Sequence, residues 1–208
     1  MSKLKVLFFL CAVLAFTAGC RTRPPLNRAA LSGITEGSST RPEVEKLLGK
    51  PDDVLSGANQ KTLTMYQDYD VKQKFHFLKD EYELSFLTAY FLFEPEGMLE
   101  KKFISDTQTT TTTQWGIRTV GTPITSDKLG KIIPGLTTYD QLRESFGPPI
   151  SEALTINGTI TREWAFSRET MISRPKFQII QASFDELDHL VDYVIKDEVP
   201  EEKKIKPR

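Results

Sequence analysis

The chain has 208 residues, with 27 Lys or Arg and 28 Asp or Glu, so its formal net charge is −1. A charge this close to neutral argues against nucleic acid as a partner and against a broad electrostatic attraction to anionic lipid. The length allows one medium-sized domain or two small ones.

Residues 1–19 have the pattern of an export signal. Lys3 and Lys5 precede an unbroken apolar run over residues 6–16, and three small residues then lead into Cys20. The run is too short and wrongly flanked for a transmembrane helix. Removing this segment leaves 25 basic and 28 acidic residues, a net charge of −3. The alternative interpretation is an ordinary secretory signal next to an incidental cysteine.

The cysteine count favours acylation of Cys20. Cys11 lies inside the signal, so the mature chain keeps one cysteine, at its first position, and an intramolecular disulfide is impossible. Acylation explains a lone exported cysteine, and several acyl chains on one residue would give a stable anchor. The sequence Ala-Gly-Cys resembles the lipobox of bacterial lipoproteins. In the sorting pattern of those proteins, Arg21 after the cysteine implies the outer membrane.

Residues 20–30 are polar and contain a proline pair, which predicts a lipidated tether. The arginines at 21, 23 and 28 are interpreted as solvated linker charges, with contact to lipid headgroups as the alternative.

An internal repeat follows the tether. Residues 31–51 and 129–149 match without a gap at a constant offset of 98. Six identities and two apolar pairs agree: Leu31/Leu129, Ile34/Ile132, Gly37/Gly135, Thr40/Thr138, Gly49/Gly147, Pro51/Pro149, Val44/Leu142 and Leu48/Phe146.

Each repeated stretch predicts a short helix. Thr40 with Glu43, and Thr138 with Gln141, form capping boxes at the helix start. Gly49 and Gly147 predict left-handed C-terminal caps, with a proline two residues later. Helices of two to three turns do not persist alone, so they must pack on something.

Strand patterns follow both helices. The first copy predicts strands over 62–69, 85–93 and 98–104, with a turn at 94–97. The second predicts strands over 176–184 and 189–195, with a turn at 185–188. Tyr66 corresponds to Trp164, and both are predicted to be core residues beneath the helices. The offset later falls by seven, which places an insertion in residues 70–83 of the first copy.

The remaining segments set the predicted domain organisation. Residues 107–113 are almost all threonine and predict either a linker or an extended strand. The first repeat unit is predicted over 31–120, a junction over 121–128, the second unit over 129–196, and a charged tail over 197–208.

The capped helix with G-x-x-T and G-x-P, the Tyr or Trp strand, the strand–turn–strand and the lipobox resemble the BamE (SmpA/OmlA) family of outer-membrane lipoproteins. Two such units in one chain also resemble the β-lactamase inhibitor proteins. The resemblance implies an α+β fold of two tandem repeats, each a helix pair on an antiparallel sheet. It also implies a non-catalytic module without cofactors, anchored by palmitate-type acyl chains on Cys20.

The strand over 84–93 supplies the candidate binding face. One side carries Leu87, Ala89, Phe91 and Phe93 and should pack under the helices, while the other carries Phe86, Thr88, Tyr90 and Leu92. An apolar outer side must be covered, either by the other repeat or by a protein partner. The candidate partner-binding residues are Phe86, Tyr90, Leu92, Phe177 and Ile179.

Catalytic patterns are scarce in this sequence. The two histidines, His76 and His189, have no companion ligand at a metal-binding spacing, so no metal site is predicted. Asp52, Asp53, Asp185 and Glu186 are interpreted as solvated turn acids. The sequence favours a membrane-anchored module that binds envelope proteins. The resemblance to the BamE family implies the β-barrel assembly machinery as a partner and a place on the periplasmic side of the outer membrane. The alternatives are a periplasmic enzyme inhibitor of the β-lactamase-inhibitor type and, less favoured, an enzyme of unrecognised type.

Overall fold

The computed structural model describes residues 23–76, 79–170 and 176–198. The predicted signal, Cys20 and residues 199–208 lie outside these ranges. Within them, no helix is long and apolar enough to cross a bilayer.

The described residues form short helices and a series of strands of very different length. In chain order they are α1 (Arg28–Ser32), α2 (Arg41–Leu48), β1 (Asp53–Ser56), β2 (Thr62–His76), β3 (Lys79–Phe93), β4 (Leu99–Gln114), β5 (Ile117–Val120), α3 (Ser126–Leu129), α4 (Tyr139–Phe146), β6 (Ser151–Leu154), β7 (Ile160–Glu169), β8 (Lys176–Phe184) and β9 (Leu190–Glu198). We call α1 to β4 the first half and α3 to β9 the second half.

All strands belong to one antiparallel sheet, in the order β1-β2-β3-β4-β5-β7-β8-β9, with β6 beside β7. The short strand β5 joins the halves. It pairs with the last residues of β4 on one side and with the last residues of β7 on the other. β6 pairs with the opposite end of β7.

The predicted fold class, an α+β arrangement of two helix-pair-on-sheet repeats, is wrong. Strands hold 52% of the described residues and helices 15%, and a single sheet of nine strands runs through both halves. The physical reason is the pairing of β5 with both β4 and β7, which merges two short sheets into one. The helices have eight residues or fewer, so each covers only a small part of that sheet.

Local features nevertheless recur at the predicted offset. Both capping boxes are confirmed: the Thr40 amide donates to Glu43 over 2.8 Å, and the Thr138 amide donates to Gln141 over 2.9 Å. An isolated β-bridge joins each capping box to a hairpin of its own half: Thr40↔Met98 in the first half and Thr138↔His189 in the second.

The helix ends differ from the prediction in one respect. Gly49 and Gly147 have φ of 84° and 80°, as a glycine cap requires, but ψ of −164° and −170°. This is the extended mirror region, which is open almost only to glycine, and not the left-handed helical cap that we expected. The chain therefore leaves each helix directly in an extended direction and enters β1 or β6.

Each helix pair covers a hydrophobic core on the same face of the sheet, which we call the helix face. In the first core, Val44 and Leu48 pack on Tyr66, Phe91 and Phe93. The second core is arranged in the same way, from Leu142, Phe146, Trp164, Ile180 and Phe184. Tyr66 and Trp164 are confirmed as core residues. Leu87, predicted for this core, is only half-buried.

The long hairpin of β2 and β3 accommodates the predicted insertion. Its strands pair continuously from Thr62↔Phe93 to His76↔Lys79, whereas the described pairing of β7 with β8 ends at Arg168↔Lys176. The threonine-rich segment is a strand and not a linker, because it forms the last part of β4.

Candidate functional site

The outer face of the sheet, opposite the helices, carries the predicted binding residues. Alternation along β3 places Tyr90 and Leu92 on this face, and pairing places Leu63, Met65 and Phe103 beside them. The face is continuous across β5, since Thr111 pairs with Val120 and Val120 with Ser167.

The second half covers one end of the outer face. Leu63, Tyr90 and Leu92 form a buried cluster with Leu154 of β6, and Ile160 of β7 packs at its margin. Leu92 is fully buried and Tyr90 is 9% exposed. Burial raises the pKa of the Tyr90 hydroxyl to about 12, with a smaller contribution from the charge of Glu152. This end of the face is therefore an interface between the halves.

A polar cluster closes the same interface. Glu152 accepts hydrogen bonds from Arg162 (Nε, 2.9 Å) and from the Ser105 hydroxyl of the first half (3.0 Å). The Arg162 Nη1 atom lies 2.8 Å from an Asp188 carboxylate oxygen, as an ion pair without hydrogen-bond geometry. The guanidinium stacks 3.9 Å from the ring centre of Tyr139. The charged groups of this cluster all belong to the second half, and the Ser105 hydroxyl is the contact that joins them to the first half.

The predicted binding residues thus fall into two groups. Tyr90 and Leu92 lie under the second half, so a partner cannot reach Leu92 and touches at most the margin of Tyr90. Phe86, Phe177 and Ile179 are half-buried on the outer face and stay accessible in part. They are not neighbours: Phe86 pairs with Tyr69 and Thr107, whereas Phe177 and Ile179 lie beyond β5 and β7.

The uncovered end of the outer face forms a second group, which we call the outer-face patch: Tyr69, Val71, Leu84 and Phe86. Val71 is 46% exposed, and the rings of Tyr69 and Phe86 lie 6.5 Å apart in a tilted contact. Val71 pairs directly with Leu84, so the four side chains are contiguous.

The helix face of the same hairpin is charged. Lys74 pairs with Glu83 over 2.9 Å, Lys79 with Glu81 over 2.9 Å, and Lys72 lies 3.7 Å from Asp70. The hairpin is therefore amphipathic. Its helix face carries charged side chains, and its outer face carries apolar side chains in a part of the sheet that the helices do not cover.

The beginning of the described chain is bound to the fold. The Arg23 guanidinium donates to Asp52 (2.6 Å), to Asp68 (3.0 Å) and to the Gln67 carbonyl (2.9 Å), and it lies 5.6 Å from the ring centre of Tyr66. Its side chain is 2% exposed. We call this arrangement the Arg23 clamp.

The clamp changes how residues 23–30 are understood. The Leu26 amide donates to Asp68 over 2.6 Å, Asn27 caps α1, and Leu26 packs on the first core. The part of the predicted tether that the structure describes thus lies on the sheet. Arg23 is a buried ion-pair partner and neither a solvated charge nor a headgroup contact, while Arg28 pairs with Asp106 at the surface.

Sequence reasoning missed Arg23 and misread one acid. Asp52, interpreted as a solvated turn residue, accepts from both Arg23 and the Gln67 amide. Arg162 and Glu152 were also missed. The available signal was Asp68, which lies on the same face of β2 as the core residue Tyr66, since a carboxylate beside a core position requires a partner. Asp185 does cap its turn, and hydrogen bonds from the His189 and Leu187 amides hold its pKa below the usual range.

Among residues 23–76, 79–170 and 176–198, no group of three or more His, Cys, Asp or Glu side chains is arranged to hold a metal ion. A cavity of about 300 Å³ lies between β4 and the end of α4, and its lining includes five threonines together with Phe146 and Trp164. It carries no charged group.

Comparison with known proteins gives no relative for this chain: no family model, no curated protein and no solved structure matches it significantly.

Proposed function

We propose that this protein is a non-catalytic, lipid-anchored module that binds other proteins of the cell envelope. Cys20 carries the acyl anchor, and the outer-face patch receives the partner. The anchor places the protein at the outer membrane with its folded part facing the periplasm, or at the cell membrane in an organism without an outer membrane.

The outer-face patch is the observation that carries this proposal. Tyr69, Val71, Leu84 and Phe86 are contiguous and apolar, and the second half leaves them accessible while it covers Tyr90 and Leu92. Contiguous apolar surface of this kind is unfavourable in water and is typical of protein-binding sites. Because the opposite side of the hairpin is charged, only the outer-face patch offers a partner an apolar surface on this hairpin.

The resemblance to the BamE family supports a partner in outer-membrane protein assembly or envelope integrity. The capped helices, the glycine helix ends and the lipobox carry that resemblance. The β-barrel assembly machinery is therefore the partner we propose, and no cofactor or metal takes part.

A photo-cross-linking experiment in cells tests the patch. A photoreactive amino acid is placed at Val71 or Phe86, and at Lys72 as the matched control. Lys72 follows Val71 on the same strand, is exposed, and points to the helix face. We expect adducts with components of the β-barrel assembly machinery from Val71 and Phe86 and none of these from Lys72.

Three results would contradict parts of this proposal. Equal adducts from Lys72 would show that the patch does not select the partner. Adducts with a soluble periplasmic enzyme alone would favour the inhibitor alternative. Unchanged membrane retention and no loss of acyl labelling in a Cys20→Ala variant would refute the anchor.

A further inference from the structure

Strand β9 lies at one margin of the sheet, and β8 is its neighbour on one side only. Within the described residues, the other side of β9 is covered only at its beginning. There the Leu190 amide donates to the Thr137 carbonyl, and the Gly135 amide donates to the Leu190 carbonyl. We call the remaining free side, over residues 191–197, the β9 edge.

The β9 edge carries backbone groups that can pair with another strand. The Tyr193 amide donates to the Asp192 carboxylate over 2.8 Å, so this amide points away from β8. Because alternate residues of a strand direct their N–H and C=O groups to the same side, those of Ile195 and Asp197 also lie on the edge. Residues 191–197 contain no proline, and the register shift opposite β8 lies at the beginning of the strand. The edge is therefore open to strand addition.

The equivalent edge of the first half, on β4, is covered. Leu99 corresponds to Leu190, because the Gly37 amide donates to its carbonyl as the Gly135 amide does to that of Leu190. Counting along the strands from these residues gives three corresponding pairs: Lys101/Asp192, Phe103/Val194 and Ser105/Lys196.

In the first half, all three of these side chains contact the second half. Lys101 donates to the Gly158 carbonyl over 2.8 Å, Ser105 donates to Glu152, and Phe103 packs against the cluster that contains Leu154. In the second half the corresponding side chains are exposed, and Val194 keeps 50% of its surface. The β9 edge thus lacks a cover that its counterpart has.

A second copy of this chain fits the β9 edge. When two β9 strands pair antiparallel about a two-fold axis perpendicular to the sheet, Val194 can lie opposite Val194 of the second copy. In this register Asp192 lies opposite Lys196, and Tyr193 lies opposite Ile195, each of them twice. An opposite-charge pair and an aromatic pair with a β-branched residue are both favourable cross-strand neighbours.

Neighbouring registers lose this complementarity. An axis at Tyr193 places Asp192 opposite Val194, and an axis at Ile195 places Lys196 opposite Val194. In the Val194 register the Tyr193 amide exchanges the Asp192 carboxylate for the Ile195 carbonyl of the second copy, so Asp192 becomes available to Lys196. Lys196 is held in its own sheet only by an exposed contact of 3.3 Å with Gln181.

The same geometry limits the assembly to two copies. A second copy cannot place its β6 on the β9 edge, because that strand is already packed on its own first half. Pairing about a two-fold axis uses both β9 edges and leaves none for a third copy.

We propose that two copies of this chain join along β9 into one continuous sheet, in the register that places Val194 opposite Val194. The outer-face patch stays accessible, since β2 and β3 lie near the other end of the strand order. The pairing requires neither the acyl anchor nor the envelope partner of the proposed function.

Disulfide cross-linking of the full-length protein in native membranes tests the register. Val194→Cys places two thiols in a non-hydrogen-bonded pair with Cα atoms about 4.5 Å apart, within the range of a disulfide. Val191→Cys is the matched control, because Val191 is 55% exposed but would lie about 20 Å from its counterpart. Under mild oxidation we expect a homodimer from Val194→Cys and none from Val191→Cys. The wild type measures any dimer that forms through Cys20.

Charge exchange tests the contact between Asp192 and Lys196. In the Val194→Cys background, Asp192→Lys or Lys196→Asp converts two opposite-charge pairs into like-charge pairs and should lower dimer formation roughly tenfold. The double exchange makes the charges opposite again and should restore the dimer. Both side chains are exposed, so the fold should tolerate all of these variants.

Three results would overturn the proposal. Equal cross-linking of Val194→Cys and Val191→Cys, or none of either, would show that β9 does not pair in this register. A Val194→Cys adduct with another protein, without a homodimer, would assign the β9 edge to a different partner. A double exchange that fails to restore the dimer would show that Asp192 and Lys196 do not face each other.

Discussion

The guanidinium of Arg23 is nearly excluded from water, although its two carboxylate partners are not equally buried. The Asp68 side chain is 15% exposed and that of Asp52 is 40% exposed. Removing the cation leaves Asp68 charged in a confined site, and the loss of one partner of such a pair is more costly than the pair was favourable. The clamp therefore contributes to the stability of the fold.

Arg23→Met tests the clamp by removing the charge and keeping a long apolar stem. We expect the free energy of unfolding to fall by about 3 kcal/mol, measured by urea denaturation. Arg28→Met is the matched control, because Arg28 pairs with Asp106 at the surface, where such pairs contribute about 0.5 kcal/mol. A similar loss in both variants would show that Arg23 acts as an ordinary surface charge.

At the scale of elements, the two capping boxes have the same hydrogen-bond pattern but differ in the side chain that closes them. Glu43 closes the first box and Gln141 the second. Hydrogen bonds from the Thr40 amide and hydroxyl lower the pKa of Glu43. A carboxyl group whose pKa is lower in the folded than in the unfolded protein stabilises the fold at pH values above its unfolded pKa. This stabilisation is lost as the pH falls through the folded pKa. Gln141 does not titrate, so only the first box is sensitive to acid.

Thr40→Ala and Thr138→Ala test this difference. At neutral pH each variant should lower the free energy of unfolding by about 1 kcal/mol, the usual contribution of an N-cap residue. Under acid conditions the effect of Thr40→Ala should shrink, while that of Thr138→Ala stays constant; thermal unfolding at a series of pH values measures both. An equal pH dependence in the two variants would contradict the role of Glu43.

The same elements show which structural features could be predicted from the sequence and which could not. The capping boxes, the positions of the two glycine helix ends and the burial of Tyr66 and Trp164 follow from local spacing, so the sequence predicted them. The joining of β4 to β7 through β5 depends on pairs such as Val120↔Ser167, which lie far apart in the chain and leave no periodic signal. The fold class was therefore wrong although most elements were right. The Arg23 clamp was missed for the same reason, because 29 residues separate Arg23 from Asp52.

At the scale of the whole molecule, the described residues connect the halves through the sheet itself, at β5, and secondly through the packing of Leu154 on Leu63, Tyr90 and Leu92. The Lys101 ammonium also donates to the Gly158 carbonyl over 2.8 Å. The polar contact from Ser105 to Glu152 reinforces the second connection. Cooperative units in proteins follow contiguous packing of this kind. The halves should therefore unfold together, despite their repeated local structure.

Leu154→Ala tests whether the two halves unfold as one cooperative unit. Leu154 is 2% exposed in the packing between the halves, so its truncation should lower the free energy of unfolding by about 3 kcal/mol. In a background in which Trp115 is replaced by Asn, tryptophan emission comes from Trp164 and reports on the second half, while far-ultraviolet circular dichroism reports on the whole sheet. Both transitions should move together to lower urea. Leu55→Ala on β1, where the side chain is 53% exposed, is the control and should change stability by less than about 0.5 kcal/mol. If the Trp164 transition moved alone, the first half would fold independently, and the common sheet would not be one cooperative unit.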